Sequence, residues 1–418
     1  MRLALPGDKS ISHRALMLAA LADGTSEIDN LSPGLDVATT AQCLRQCGID
    51  IVVKGRGKNR KALVTGKGGV FDKPREDLNA GNSGTTARLL IGLLAGCGIT
   101  ARIIGDESLT RRPMGRVVHP LQDMGAKIHI SARETLPLTI YPAVLDSLNY
   151  TIPVPSAQIK SALLLAALGS KGRVTVREVA PTRNHTENMF KSLGVDIKIN
   201  GNAIAIGRGR QTIPTFAIKV PGDPSSAAFP AAMTALLPNK QITFNDLLLN
   251  PTRLGFFRAL QRMGVSVDWK VKGEILGEPI GTLTVKSAPL KGVSLRGDDI
   301  PTVIDEIPVL AVMASQAKGE TVIRDAGELR LKESDRIKAI CENLRRMGAR
   351  IQELSDGFRI LGPSRLRAAA VTTYSDHRIA MAFAIAGRMA SDITRLDDPD
   401  CVEISYPGYH KVLKQVCR

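Results

Sequence analysis

The chain has 418 residues, 44% of them hydrophobic and 23% charged, with a mean hydropathy of +0.01. That length points to about two domains, and the composition excludes disorder, collagen and a disulfide-built scaffold. Lys and Arg outnumber Asp and Glu by 56 to 40, a net charge of +16, which leaves open a nucleic-acid surface or a cleft for polyanionic small molecules.

Residues 2–5 read as a short strand. No secretory signal is visible from Met1 to Arg14, and no apolar run approaches the ~20 residues of a membrane crossing. With six scattered cysteines, a reduced, cytoplasmic protein is expected. Gly7-Asp8-Lys9-Ser10-Ile11-Ser12-His13-Arg14 opens an Ala- and Leu-rich helix, with Lys9 at its mouth and Arg14 about one turn further in. Ser10 can cap the helix or donate to an anion. The Lys-Ser pair looks like part of a phosphate loop, but the glycine spacing is missing, so nucleotide phosphate transfer is not expected. His13 by itself reads as structural. Cys43 and Cys47 have no second pair at ligand spacing, so no metal is expected.

Cys47-Gly48-Ile49-Asp50-Ile51 is a helix end, a left-handed glycine cap and a half-buried strand. Lys58-Asn59-Arg60-Lys61 follows as a hairpin tip. Asn82-Ser83-Gly84-Thr85 is a second polar helix start. Arg111-Arg112-Pro113-Met114-Gly115 sets two guanidinium groups before a helix expected to start at the proline, a pairing suited to carboxylate or phosphate. The glycine-plus-strand pattern returns at Met124-Gly125, Leu193-Gly194, Met263-Gly264 and Met347-Gly348. The polar helix start returns at Ser156-Ala157-Gln158, Gly222-Asp223-Pro224-Ser225, Ile304-Asp305-Glu306 and Ser375-Asp376-His377-Arg378. Residues 409–416 read as a closing helix.

The glycine copies lie roughly 70–85 residues apart, the length of a unit with two helices and several strands. Pro6-Gly7-Asp8 and Pro221-Gly222-Asp223 are near-copies and read as crossings between domains of three units each. Residues 9–222 would form the N-terminal domain, and residues 1–8 plus 223–418 the C-terminal one. The hinges would lie near Pro6–Asp8 and Pro221–Pro224. The sixth unit lacks a glycine-plus-strand copy, and residues 2–5 are expected to supply its missing strand.

N-capping accounts for most of the Ser, Thr and Asp at the helix starts. It does not account for the Lys and Arg beside them, since a helix N-terminus plus a cation is an anion site. In Leu329-Arg330-Leu331-Lys332-Glu333-Ser334-Asp335-Arg336, Lys332 and Arg336 are four apart and are expected to share a helix face. Asp305, in an apolar context at a helix mouth, is a general-base candidate. No nucleophilic triad and no histidine metal pattern appears. Acid–base chemistry on a multiply charged small substrate, without metal or cofactor, is the reading.

Five stretches, Gly-Asp-Lys-Ser-Ile-Ser-His-Arg-Ala, Gly-Asn-Ser-Gly-Thr-Thr-Ala-Arg-Leu, Arg-Arg-Pro-Met, Leu-Arg-Leu-Lys-Glu-Ser-Asp-Arg and Asp-His-Arg-Ile-Ala-Met, resemble those of the EPSP synthases, the 3-phosphoshikimate 1-carboxyvinyltransferases. The resemblance runs over nearly the whole chain. It implies a two-domain inside-out α/β barrel of six βαβαββ-type units, three per domain. It also implies transfer of enolpyruvyl from phosphoenolpyruvate to the 5-hydroxyl of shikimate 3-phosphate, by a monomer that uses no cofactor and binds no nucleic acid or membrane. Carried over by motif, Lys9, Ser10, Arg14, Ser156, Ala157, Gln158, Arg183, Asp305 and Lys332 would hold shikimate 3-phosphate. Lys9, Asn82, Gly84, Arg112, Gln158, Arg336 and Arg378 would surround phosphoenolpyruvate. Asp305 would accept the 5-hydroxyl proton, and Lys332, Glu333 and Lys9 would assist the chemistry.

There are departures. The chain starts later than the family pattern, so its first strand is expected to be short. Ile404-Ser405-Tyr406-Pro407 lacks the basic residue that some members carry before the aromatic-proline pair. Thr182-Arg183-Asn184-His185-Thr186-Glu187 and Arg112-Pro113-Met114-Gly115 resemble the branch that includes glyphosate-tolerant members, yet Gly84 stands where tolerant members have Ala, so inhibition by glyphosate is expected. The rivals are a UDP-N-acetylglucosamine enolpyruvyl transferase, which has Lys-Asn where this chain has Lys9-Ser10, and an RNA-binding or RNA 3′-phosphate cyclase-like protein.

Overall fold

The structure, a computed structural model, describes residues 1–418, apart from the side chain of Lys58. All five glycines of the repeated pattern take left-handed backbone, with φ of +81° at Gly48, +98° at Gly125, +80° at Gly194, +95° at Gly264 and +86° at Gly348. Lacking a Cβ, each can end its helix there without strain and turn the chain at once into a strand. The helices so ended are Leu35–Gln46, Gly115–Asp123, His185–Ser192, Gly255–Arg262 and Arg336–Arg346.

The second repeat shows the plan. Strand Leu78–Asn79 leads through helix Gly84–Cys97 to the parallel strand Ala101–Ile104, and helix Gly115–Asp123 leads on to the antiparallel pair Lys127–Ile130 and Leu138–Tyr141. In the first sheet the edge place falls to Ala217–Lys219, parallel to Asp23–Asp29. In the fourth it falls to Arg2–Leu3, parallel to Gln241–Leu248. The N-terminal strand therefore completes the fourth repeat and not the sixth, correcting the expectation from the sequence. The reason lies in the connection: the chain passes from Pro221 straight into helix Pro224–Leu236, so the fourth repeat brings no edge strand of its own. The sixth keeps its parallel pair, Ala370–Val371 with Arg395–Leu396, and ends in helix Tyr409–Cys417. The basic run at residues 58–61 lies at the turn between the paired strands Asp50–Lys54 and Lys61–Lys67.

Two compact units result. The N-terminal unit is Gly7–Val220 with Glu274–Glu278; the C-terminal unit is Met1–Pro6, Pro221–Gly273 and Pro279–Arg418. In the N-terminal unit helices Lys9–Leu21, Gly84–Cys97 and Ala157–Ala167 are buried along most of their length, while strands such as Lys61–Lys67 alternate buried and exposed residues. Helices lie inside and sheets outside, because these helices bury residues on every side and the strands on one face only. Gly92 lets two of the helices touch: a Cβ there would come within 2.0 Å of the Ala162 carbonyl oxygen. The C-terminal unit buries Pro224–Leu236, Ile307–Gln316 and His377–Met389 in the same way.

Leu5 is 3% exposed in the core of the C-terminal unit, and Trp269, the chain's single tryptophan, packs against that core. Leu5→Ala is expected to destabilise this unit by about 2–4 kcal/mol. Urea unfolding followed by Trp269 fluorescence reads the loss, and an unshifted transition would show that the N-terminal segment does not support this core.

Candidate active site

Burying a helix on all sides leaves its first N–H groups without water, so side chains must take them up. In the N-terminal unit Asp8 Oδ1 accepts from Ile11 N at 2.8 Å, Ser83 Oγ from Thr86 N at 3.1 Å and Ser156 Oγ from Ile159 N at 3.4 Å. These caps bring Lys9, Gly84 and Ala157 to three helix mouths as first residues of their helices.

Around these mouths the candidate residues are held by specific partners. Lys9 Nζ lies 2.6 Å from Asp36 Oδ2. Arg14 is buried, with Nε donating to Thr186 Oγ1 at 2.7 Å, Nη1 to the Ser10 carbonyl at 3.0 Å and Nη2 to Ser161 Oγ at 2.6 Å. Burial lowers its pKa to about 10, against the pull of Glu187, Asp8 and Glu278. Gln158 accepts from Arg88 Nη1 at 2.9 Å and donates to Thr85 Oγ1 at 3.0 Å. Asn82, Ser10, Ser156 and Arg183 are half-buried.

The two arginines of Arg111-Arg112 part company. Arg111 pairs with Glu107 in solvent, whereas Arg112 is buried and donates to Ser108 Oγ at 3.0 Å. The helix that follows begins at Gly115, not at Pro113 as the motif predicts: Met114 is its N-cap residue, and the Met114 N–H donates to the Glu134 carbonyl at 2.7 Å. The Pro113 carbonyl accepts from Arg88 Nη2 at 3.1 Å. Arg88 thus ties the Gly84 helix, the Arg112 loop and Gln158 together. Sequence reasoning passed over it, although it stands within the Gly-Asn-Ser-Gly-Thr-Thr-Ala-Arg motif.

In the C-terminal unit Arg336, 1% exposed, is the centre of a carboxylate cluster. Its Nε donates to Asp376 Oδ2 at 2.8 Å and its Nη2 to Glu333 Oε2 at 2.7 Å, while Nη1 lies 3.5 Å from Asp305 Oδ1. Nη1 is buried and makes no hydrogen bond, an opening for an anionic acceptor. Burial opposes the charge on Arg336, yet Asp376, Glu333 and Asp305 outweigh it and raise the pKa above the usual arginine range. Burial likewise works against charge on Asp376, but Arg336 prevails and holds it below the usual carboxylate range. Asp376 also caps its helix, accepting from Arg378 N at 2.9 Å.

Arg378 is buried, with its guanidinium carbon 5.9 Å from the Phe229 ring centre and Nη1 3.8 Å from Glu306 Oε1. Asp305, its side chain 19% exposed, sits in the turn between helices Asp299–Val303 and Ile307–Gln316. Glu306 does not cap the second of these with its side chain. Lys332 departs from expectation. It follows a 3-10 turn, Gly327–Leu331, and the helix begins only at Arg336, capped by Asp335, so Lys332 and Arg336 do not share a helix face. The Asp335 cap stops the helix from extending backwards over Lys332. Among the described residues no group of His, Cys, Asp and Glu is placed to hold a metal ion, and no helix is long and apolar enough to cross a membrane.

Comparison with known proteins gives this arrangement a family. The family model described as EPSP synthase (3-phosphoshikimate 1-carboxyvinyltransferase) matches residues 1–413. The 3-phosphoshikimate 1-carboxyvinyltransferase of Thermoanaerobacter sp. (strain X514) is 43% identical over 409 residues, 98% of this chain and 96% of the relative. The 2.37 Å structure of EPSP synthase from Acinetobacter baumannii is 35% identical, with a TM-score of 0.86, and covers 100% of this chain and 95% of its own. The enolpyruvyl transferase NikO from Streptomyces tendae, 18% identical over 100% of this chain and 94% of its own, shares the fold at a TM-score of 0.77. The fold is therefore that of enolpyruvyl transferases, two units of inside-out α/β repeats. Within that class the chain belongs to the EPSP synthase family, whose members are transferases.

His13 tests the buried chemistry at the first helix mouth. Its Nδ1 shares a hydrogen bond of 2.7 Å with Thr40 Oγ1, and burial lowers its pKa from 6.5 to about 3, with Asp36 pulling the other way. The unfolded chain therefore binds a proton that the folded one refuses between about pH 6.5 and 3. The His13 contribution is present in full above pH 6.5 and is lost as pH falls through that window. NMR titration should show this ring neutral from pH 8 to 5; a midpoint near 6.5 would contradict the burial argument.

Proposed function

We propose that this chain transfers the enolpyruvyl group of phosphoenolpyruvate to the 5-hydroxyl of shikimate 3-phosphate, giving 5-enolpyruvylshikimate 3-phosphate and phosphate in the shikimate pathway. The family match across residues 1–413 carries this reading. The basic charge balance supports it, since both substrates are polyanions. UDP-N-acetylglucosamine enolpyruvyl transfer and RNA chemistry are not favoured.

In this reading Lys9, Ser10, Arg14, Ser156, Ala157, Gln158 and Arg183 of the N-terminal unit, with Asp305 and Lys332, bind shikimate 3-phosphate. Lys9, Asn82, Gly84, Arg112, Gln158, Arg336 and Arg378 bind phosphoenolpyruvate. Asp305 takes the proton of the 5-hydroxyl as its oxygen attacks C2 of phosphoenolpyruvate and the methylene carbon gains a proton. Loss of phosphate and of a methyl proton from the tetrahedral adduct restores the double bond, with Lys332 and Glu333 serving the proton transfers. Buried cations that need no reorganisation stabilise the phosphate and carboxylate charge as the adduct forms. The enzyme acts as a cytoplasmic monomer without nucleic-acid or membrane partners.

Phosphate release should require both substrates and fall by about a hundredfold or more in Asp305→Ala and Arg336→Ala. No release by folded wild-type protein at any pH from 6 to 9 would overturn the reading, and UDP-N-acetylglucosamine would then be tried as acceptor.

Glyphosate, longer than phosphoenolpyruvate, should inhibit. A Cβ on Gly84 would lie 2.7 Å from Arg88 Nη1 and 3.2 Å from Arg112 Nη1, so both guanidinium groups must give way. Gly84→Ala should raise the glyphosate inhibition constant about tenfold or more, with a smaller change in KM for phosphoenolpyruvate. Equal inhibition of the two forms would count against crowding.

A further inference from the structure

Behind the mouth of helix Lys9–Leu21 the N-terminal unit buries a layer of charge that the reaction above leaves unassigned. Lys160 is 0% exposed, with Nζ 2.6 Å from Glu187 Oε1 and 2.9 Å from Glu178 Oε2. Glu178 also accepts from the Thr182 hydroxyl, and Glu187 Oε2 is buried without a hydrogen bond. Replacing such an ion cluster with apolar side chains often costs a protein nothing in stability. Its presence calls for a role in geometry.

The neighbours in sequence of this ion pair supply that role. Ser161 follows Lys160 and Thr186 precedes Glu187, and these two hydroxyls grip Arg14. Thr186 Oγ1 accepts from Arg14 Nε at 2.7 Å and donates to Ser161 Oγ at 2.8 Å; Ser161 Oγ accepts from Arg14 Nη2 at 2.6 Å. The Ser10 carbonyl takes Nη1 at 3.0 Å. Three N–H donors of the planar guanidinium are thereby engaged on the protein side, which fixes its plane and leaves the others for a ligand. The Lys160–Glu187 pair pins helix Ala157–Ala167 to helix His185–Ser192, the two elements that carry the hydroxyls.

We propose that Thr186 and Ser161, held in register by the Lys160–Glu187 pair, are positioning residues for Arg14 and set the affinity for shikimate 3-phosphate. The inference rests on the reading that Arg14 binds that substrate. Without the Thr186 hydroxyl, Arg14 Nε is buried with no acceptor and the guanidinium turns to find one. The segment Thr182-Arg183-Asn184-His185-Thr186-Glu187 then acts as a bracket: it meets the buried lysine through Glu187 and the arginine through Thr186.

The experiment compares Thr186→Val, which keeps the shape and removes the hydroxyl, with Thr186→Ser, Ser161→Ala and Arg14→Ala. Titration calorimetry with shikimate 3-phosphate alone and steady-state kinetics are run on each full-length protein, with thermal unfolding as the control for folding. Thr186→Val and Ser161→Ala should each raise the Kd and KM for shikimate 3-phosphate about tenfold. KM for phosphoenolpyruvate and kcat should stay within about twofold, and Thr186→Ser should bind as the wild type does. If Arg14→Ala weakens binding while Thr186→Val and Ser161→Ala do not, the positioning role is wrong although the site reading stands. Equal loss of affinity for both substrates would also overturn it, since a merely structural defect would not discriminate. If Arg14→Ala itself binds shikimate 3-phosphate normally, both the site reading and the inference fall.

Discussion

Placing helices inside and sheets outside creates a demand that the rest of each unit answers: the first N–H groups of every central helix lose access to water. Asp8, Ser83, Ser156, Asp223 and Asp376 meet it with their side chains. A capped helix mouth with a positive dipole end attracts anions, so the feature that makes the fold possible also draws cationic side chains and anionic ligands to the same places. Lys9 and Arg378 each lie within the first turn of such a helix.

The cations at these mouths are held by carboxylates in two ways. Lys9, partly exposed, has Asp36, and the contact is accessible to solvent and to exchange with a ligand. Arg336 is enclosed by Asp376 and Glu333, with Asp305 beyond hydrogen-bonding distance. Low dielectric strengthens each of those contacts and makes any missing one costly. The cluster in the C-terminal unit therefore has a fixed orientation before any substrate arrives, which is what electrostatic stabilisation of a charged transition state requires.

Much of this was legible in the residues. Large residue plus glycine plus alternating strand identified five helix ends, because left-handed backbone after a helix is a local requirement that few residues other than glycine meet. Polar residues before Ala- and Leu-rich runs marked the helix starts for an equally local reason. Two further points are local as well, but turn on which side chain takes a cap or a pair. The spacing of Lys332 to Arg336 suits one helix face, but Asp335 takes the cap and leaves Lys332 in the stretch before the helix. Arg111 and Arg112 look equivalent, yet Glu107 keeps one in solvent while Ser108 meets the other inside.

What the sequence determined by itself is the repeat, the caps, the chemical type of each helix mouth and the family, since these depend on contacts within a few residues or on motifs preserved along the chain. Tertiary structure alone decided which sheet the N-terminal strand joins, that Arg88 links three motifs, and that Lys160 and Glu187 pair behind Arg14. Those contacts join residues far apart in the chain, and their energy exists only once burial has removed the competing water.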